Sequence, residues 1–187
     1  FSRFSQWSHR RINSCFCALR GGAGRRRLLL LASLLHFPRL APSAEVSIEL
    51  DPRTTSKEQL VALKSVGFNR VSFGVQDFDA TVQKTINRIQ TFEQTKALEE
   101  ESRNLGFGGV NLDLIYGLPL QTRASFRHTL EQIAALQPDR LSVFNYAHLP
   151  SRFAGQHKIK EELEVNVKCC RTLLCTTACT YLRKTTL

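Results

Sequence analysis

The chain has 187 residues, of which 42% are hydrophobic, and this predicts one domain with a real core. Its formal net charge of +10 would suit a nucleic acid or a membrane surface, but the excess lies in two flanks. Residues 1–44 hold eight arginines and no acid, residues 165–187 hold four bases and no acid, and the centre holds 14 bases and 16 acids. We therefore expect neither a nucleic-acid nor a membrane partner.

The flanks also hold every cysteine, namely Cys15, Cys17, Cys169, Cys170, Cys175 and Cys179. A centre without cysteine excludes the disulfide framework of a small secreted protein. The apolar run 28–35 is shorter than the roughly 20 residues that a membrane span needs. We divide the chain into a basic flank 1–44, a core 45–163 and a basic flank 164–187. Both flanks are expected to be disordered or translated from a non-native reading frame, and a mitochondrial presequence is the alternative for the first.

Strands and helices alternate along the core. Patterns and caps predict a strand Val46–Leu50, a helix from Ser56 to about Val66, a strand Arg70–Gln76, a short helix from Asp79 to about Ile86, a helix from Thr91 to about Leu105, a strand Gly109–Ile115, a helix 123–136 and a strand Leu141–Ala147. Strands that are joined by crossover helices must be parallel. The sequence therefore predicts an α/β fold with about four parallel strands.

Three of these strands alternate apolar residues with small or polar ones, so each has an apolar face and a polar face. Glu49, Gln76 and Asp113 lie on the polar faces near the carboxyl ends of their strands. Because helices cover one face and parallel sheets usually bury both, the polar face predicts the lumen of a barrel, with its site at the carboxyl ends. The alternative is a sheet face that is partly exposed to water.

Five segments resemble the oxygen-independent coproporphyrinogen III oxidases, a family of the radical S-adenosylmethionine (SAM) superfamily. They are Ser47-Ile-Glu-Leu-Asp-Pro-Arg53, Gly67-Phe-Asn-Arg-Val-Ser-Phe-Gly-Val-Gln-Asp-Phe78, Ile86-Asn-Arg88, Asn111-Leu-Asp-Leu-Ile-Tyr-Gly-Leu-Pro119 and Asp139-Arg-Leu-Ser-Val-Phe-Asn-Tyr-Ala-His-Leu-Pro150. The family's Asn-Arg-x-Gln piece is present as Asn87-Arg88-Ile89-Gln90. They occur in the family's order and spacing, between about Glu45 and about Leu163.

The resemblance implies a partial radical SAM β/α (TIM-like) barrel and the family's cofactors, a [4Fe-4S] cluster and two SAM molecules. It places Glu49 on the SAM nearer the cluster. It places Gln76, Arg88, Asp113 and Ala147 around the second SAM. The residue types suit that ligand, because carboxylates accept from hydroxyl or ammonium groups and an arginine can clamp a carboxylate. The Asp51–Pro52 pair is expected to form a turn.

The resemblance also implies a cytoplasmic, monomeric oxidoreductase of heme biosynthesis. Its reaction would be the oxidative decarboxylation of coproporphyrinogen III to protoporphyrinogen IX. The family's Cys-x3-Cys-x2-Cys cluster motif is missing from the chain, so we assign no metal ligand and no catalytic residue. We therefore expect a family fragment that is inactive alone. The alternatives are a truncated SAM-binding or heme-handling relative and a non-functional gene fragment.

Overall fold

The computed structural model describes the backbone of residues 12–14, all of residues 44–147, and the single positions 151, 156 and 159. The six cysteines and most of both flanks lie outside these residues. The described strands are β1 (Ile12–Ser14), β2 (Val46–Leu50), β3 (Arg70–Gln76), β4 (Val110–Tyr116) and β5 (Arg140–Asn145). The described helices are α1 (Lys57–Ser65), α2 (Ala80–Thr85), α3 (Phe92–Asn104) and α4 (Arg123–Leu136).

The strands form one parallel sheet in the order β1-β2-β3-β4-β5. The predicted α/β fold is confirmed: β2 and β3 have the predicted bounds, and β4 and β5 are displaced by at most two residues. All four predicted strands are present, and a short additional strand, β1, pairs Ile12 with Val46. Three residues within an arginine-rich flank are too few to show an alternating pattern, so no sequence pattern predicts β1.

Local capping signals set the helix ends. Ser56, Thr91 and Thr122 are the N-cap residues of α1, α3 and α4, and each closes a capping box with the residue three positions later. Gly67 and Gly106 follow the ends of α1 and α3 with φ of 101° and 74°, a left-handed conformation that glycine adopts at low cost. These caps define where the helices that connect the strands begin and end.

The hydrophobic core lies between the helices and one face of the sheet. The strands contribute residues that are at most 1% exposed, such as Ile48, Phe73 and Leu112, and the helices contribute Leu63 and Phe126. The residues between these along each strand point to the opposite, polar face. Within the part of the chain that the structure describes, no helix has the length and apolar character needed to cross a membrane.

Phe126→Ala should destabilise the fold strongly, because Phe126 is fully buried between α4 and the sheet. We expect the free energy of unfolding, measured by urea titration, to fall by about 3–5 kcal/mol. Phe144 is 55% exposed and supplies a matched control, for which Phe144→Ala should cost less than about 1 kcal/mol. Equal losses in the two variants would contradict the packing described for α4.

Candidate functional site

The polar face of the sheet borders a cleft of ≈ 550 Å³. Its lining comes from β2, β3, β4 and β5 and includes Glu49, Ser72, Asn111, Asp113 and Ser142. These side chains all occupy alternate strand positions that face away from the helices. The predicted polar face is therefore the wall of a cleft. Of the five predicted site residues, Glu49 and Asp113 line this cleft, and Gln76, Arg88 and Ala147 do not. The cleft extends to the amino ends of the strands, at Glu45, Arg70 and Arg140.

Three of the predicted site residues converge above Gly74, in the middle of β3. A Cβ atom at Gly74 would lie 2.8 Å from Gln76 Nε2, 3.1 Å from Arg88 Nη2 and 3.8 Å from Glu49 Oε1. The space that a side chain would fill is thus already occupied by an amide, a guanidinium and a carboxylate from three different segments. Gly74 also stands in register with Asp113 of β4, which places the fourth predicted residue on the neighbouring strand.

A β-bulge at the end of β3 directs Gln76 toward this point. The register with β4 shifts between Gly74 and Gln76, so Val75 is an extra residue. Gln76 has a φ of 67°, a left-handed conformation that is uncommon for residues other than glycine, asparagine and aspartate. Its side chain folds back along the strand over Gly74.

Arg88 reaches the same point from the loop after α2. Asn87 takes a left-handed φ of 53° and reverses the chain just before it. Arg88 Nη2 then donates to the Gly74 carbonyl at 2.9 Å and lies 3.5 Å from Asp51 Oδ2. The arginine is therefore held by the backbone of β3 and by a carboxylate at the end of β2.

Asp51 forms the predicted turn, since its carbonyl accepts from the amides of Thr54 and Thr55 at 3.1 Å each. The structure adds an ionic role that the sequence did not show. Arg53 Nη2 lies 2.6 Å from Asp51 Oδ2. Burial raises the pKa of Asp51, but the hydrogen bonds from Arg53 and the charge of Arg88 outweigh burial, so its pKa is lowered.

Asp113 lies within a hydrogen-bonded network that spans three strands. Its Oδ2 accepts from Ser72 Oγ at 2.6 Å, and its Oδ1 accepts from Asn111 Nδ2 at 2.7 Å. Asn111 Nδ2 also donates to Ser142 Oγ of β5 at 3.1 Å. The carboxylate is therefore fixed in orientation and only 8% exposed, with its remaining lone pairs free to accept from a ligand.

Ala147, the fifth predicted residue, lies two positions beyond β5 and is exposed. Its carbonyl accepts from Gln156 Nε2 at 3.0 Å. Because adjacent strands are about 4.8 Å apart, the end of β5 is roughly 10 Å from β3. Ala147 thus shares the strand-end edge of the sheet with the residues above Gly74 but belongs to its far side.

Behind the site, buried polar side chains hold the loops that follow β3 and β4. Asp77 is 0% exposed, and its Oδ1 accepts from Thr129 Oγ1 at 2.6 Å while its Oδ2 accepts from Gln121 Nε2. Burial raises the pKa of Asp77, although these hydrogen bonds and the Asp79 amide lower it in part. Sequence reasoning missed this network because its members are far apart along the chain.

Comparisons with known proteins agree on one superfamily. The model of the Radical SAM superfamily matches residues 20–133, a range that begins inside the first predicted flank. The chain is 54% identical over 120 residues to the oxygen-independent coproporphyrinogen III oxidase of Pseudomonas aeruginosa, and 56% identical over 118 residues to that of Escherichia coli (strain K12). These matches cover 64% and 63% of this chain but 26% of each relative. The chain therefore spans about a quarter of the length of these curated relatives.

Solved structures agree with this result. The chain superposes on the coproporphyrinogen III oxidase of Escherichia coli, described as a radical SAM enzyme, with a TM-score of 0.68 and 43% identity. That match covers 82% of this chain and 37% of the other. The radical SAM methyltransferase TsrM from Kitasatospora setae has a TM-score of 0.55 at 17% identity, covers 67% of this chain and 24% of its own, and shares the fold alone. The resemblance predicted from the motifs is confirmed.

Asp51 should make stability depend on acid pH. Its pKa is lowered in the folded state, so between that pKa and the ordinary value of 3.8 the folded chain binds fewer protons than the unfolded chain, and stability rises with pH. At neutral pH the wild type should be more stable than Asp51→Asn by up to about 1 kcal/mol. This difference should shrink as the pH falls below about 4.

Urea unfolding at a series of pH values measures that difference. Glu100→Gln is the control, because Glu100 is 59% exposed and 3.8 Å from Lys96, a surface pair of little energetic value. A difference between wild type and Asp51→Asn that stays constant down to about pH 3 would contradict the ionic role of Asp51.

Proposed function

Because this chain belongs to the radical SAM superfamily, we propose that it supplies the SAM-binding arc of an oxygen-independent coproporphyrinogen III oxidase. The observation that carries this assignment is the convergence of Glu49, Gln76 and Arg88 above Gly74, beside Asp113. Identities of 54% and 56% to two proteins of that name support it.

The donors and acceptors of the site fit SAM. The ligand carries an ammonium, a carboxylate, ribose hydroxyls and a sulfonium cation. Asp113 and Glu49 would accept from its ammonium or hydroxyl groups, and Arg88 would hold its carboxylate. Gln76 can donate and accept, and Ala147 would offer backbone groups. We propose that Glu49 contacts one SAM and that the other four residues line a second.

These side chains would bind and orient rather than react. When bound, SAM supplies the chemistry of the family, and the protein's part is to hold it and to keep water out. The network of Ser72, Asn111 and Asp113 would present one carboxylate in a fixed direction. Preorganised groups of this kind bind without the cost of reorganising on each encounter.

The substrate would be coproporphyrinogen III and the product protoporphyrinogen IX, in heme biosynthesis. We propose a cytoplasmic, monomeric protein. A [4Fe-4S] cluster does not fit the residues present: the 187 residues contain no Cys-x3-Cys-x2-Cys motif, and the described residues contain no group of three potential metal ligands. A protein that binds SAM without the redox reaction is therefore the second candidate function.

Asp113→Ala should weaken SAM binding, measured by calorimetry on the purified 187-residue chain. We expect a loss of at least about tenfold in affinity, because one charge-assisted acceptor is removed from the cleft. Asp139→Ala is the control, since Asp139 precedes β5 and accepts from the Val110 amide at the opposite end of the strands. No heat of SAM binding to the wild-type chain would refute the proposed site.

Gly74→Ala should abolish SAM binding at little cost in stability. The added methyl group would displace the tips of two flexible side chains, Gln76 and Arg88, and no backbone atom stands in its way. Thermal unfolding should therefore shift little while calorimetry detects no binding. Gly108→Ala is the matched control, because its Cβ would make an ordinary 3.6 Å contact with the Asn69 carbonyl. Retained affinity in Gly74→Ala would mean that ligand does not use the space above Gly74.

Reconstitution with iron and sulfide separates the two candidate functions. We expect the purified chain to show no iron–sulfur absorbance band and to form no 5′-deoxyadenosine from SAM, because the cluster motif is missing. Saturable SAM binding without these signals would favour the binding protein. Detection of both signals would favour the enzyme and would show that other residues replace the motif.

A further inference from the structure

Two buried glutamines connect the end of β3 to the loop that carries Arg88. Gln83 of α2 is 3% exposed and Gln90 is 4% exposed. Gln83 Nε2 donates to the Asp77 carbonyl at 2.9 Å, while Gln83 Oε1 accepts from the Gln90 amide at 3.1 Å. Gln83 therefore uses both ends of its side-chain amide to join two segments.

Gln90 completes the connection. Its Nε2 donates to the carbonyl of Val75, the extra residue of the bulge. The same carbonyl accepts from the Asp77 amide at 2.8 Å. The residues on either side of Gln76 are thus each held by a glutamine: Val75 by Gln90 and Asp77 by Gln83.

Arg88 is held by the same pair. Its backbone amide donates to the Gln83 carbonyl at 2.8 Å, and Gln90 anchors the loop two residues later. The guanidinium then reaches the Gly74 carbonyl. One unit, formed by Gln83 and Gln90 and here termed the amide latch, therefore fixes the backbone beneath both Gln76 and Arg88.

We propose that Gln83 and Gln90 are positioning residues that set SAM affinity by fixing Gln76 and Arg88 relative to each other. This inference rests on the proposed function, since it assigns a support to the same site. The hydrogen bonds of both glutamines go to the backbone around the site, so their effect on the ligand passes through Gln76 and Arg88.

The chemistry of the amide group makes the inference specific. A methionine side chain has nearly the length of glutamine but no donor and only a weak acceptor. Gln83→Met therefore removes the donor to the Asp77 carbonyl and the acceptor for the Gln90 amide. Gln90→Leu removes the bond to the bulge. Both variants leave every proposed ligand-binding side chain in place.

The test uses the full 187-residue chain with SAM as the probe. Calorimetry should show about a tenfold loss of affinity in Gln83→Met and in Gln90→Leu. Hydrogen exchange should accelerate at the amides of Asp77 and Arg88, with the strands of the sheet unchanged. Gln94→Leu is the matched control: Gln94 is an exposed glutamine that caps α3, and both readouts should stay within about twofold of wild type.

A double-mutant cycle distinguishes positioning from general stabilisation. In the Gln76→Ala background, Gln90→Leu should cost less affinity than in the wild type, because part of its effect passes through Gln76. A fully additive loss, an affinity within twofold of wild type in both latch variants, or a uniform rise in hydrogen exchange would overturn the proposal. If Gln90→Leu does not fold, Gln83→Met decides by the same readouts.

A wrong assignment of the SAM site would give a different set of results. If the wild-type chain gives no heat with SAM, the SAM site is refuted. Hydrogen exchange at Asp77 and Arg88 then decides alone whether the latch positions these residues. Faster hydrogen exchange at these two amides in the latch variants would support positioning by the amide latch. Exchange rates equal to those of the wild type would overturn it.

Discussion

The rest of the site depends on an empty position, the missing side chain at Gly74. Three polar groups come within 4 Å of the point where a Cβ would lie, and each arrives from a different segment. They can meet there only because the middle of β3 offers bare backbone. The bulge at Val75, the left-handed residues Gln76 and Asn87, and the ion pair at Asp51 all serve to bring groups to this point.

Neutral amides support this arrangement from behind the sheet. A buried charge must be paired or it shifts its pKa, whereas an amide can be buried when both of its ends find partners. Gln83 finds both partners on the backbone, and Gln121 donates to the Ile115 carbonyl while accepting from the Gly117 amide. Gln90 bonds through its Nε2 alone, because its buried Oε1 has no hydrogen-bond partner within the part of the chain that the structure describes. Asp77 is the charged exception, and burial raises its pKa.

The elements were predictable because their signals are local. Ser56, Thr91 and Thr122 cap helices through hydrogen bonds three residues away, and the alternation of β2 and β4 is visible within seven residues. The inward direction of Gln76 was also predicted, although from strict alternation, whereas a bulge achieves it in the structure. Gln90 donates to the bulge from fifteen positions along the chain, and no local pattern in β3 indicates that contact.

The site residues show the same contrast between local patterns, which the sequence reveals, and distant contacts, which it does not. Asp113 was visible as a polar residue on a strand face, but its partner Ser72 lies 41 positions away, and only the register of β3 with β4 brings them together. Asp51 was predicted as a turn residue, and its contact with Arg88 spans the whole of α1, β3 and α2.

The described contacts of the site residues lie apart from the cysteines along the chain. Arg88 donates to the Gly74 carbonyl and Asp113 accepts from Ser72, both within residues 44–147, and the pairing of β1 with β2 ends at Ile48, before Glu49 is reached. Cluster binding in this superfamily depends on cysteines, and every cysteine of this chain lies in a flank. The flank cysteines do not form the Cys-x3-Cys-x2-Cys motif, so the flanks do not supply the cluster. Binding and turnover have to be measured separately, because the proposed SAM-binding residues are present in the centre of the chain whereas the cluster motif is missing from the 187 residues.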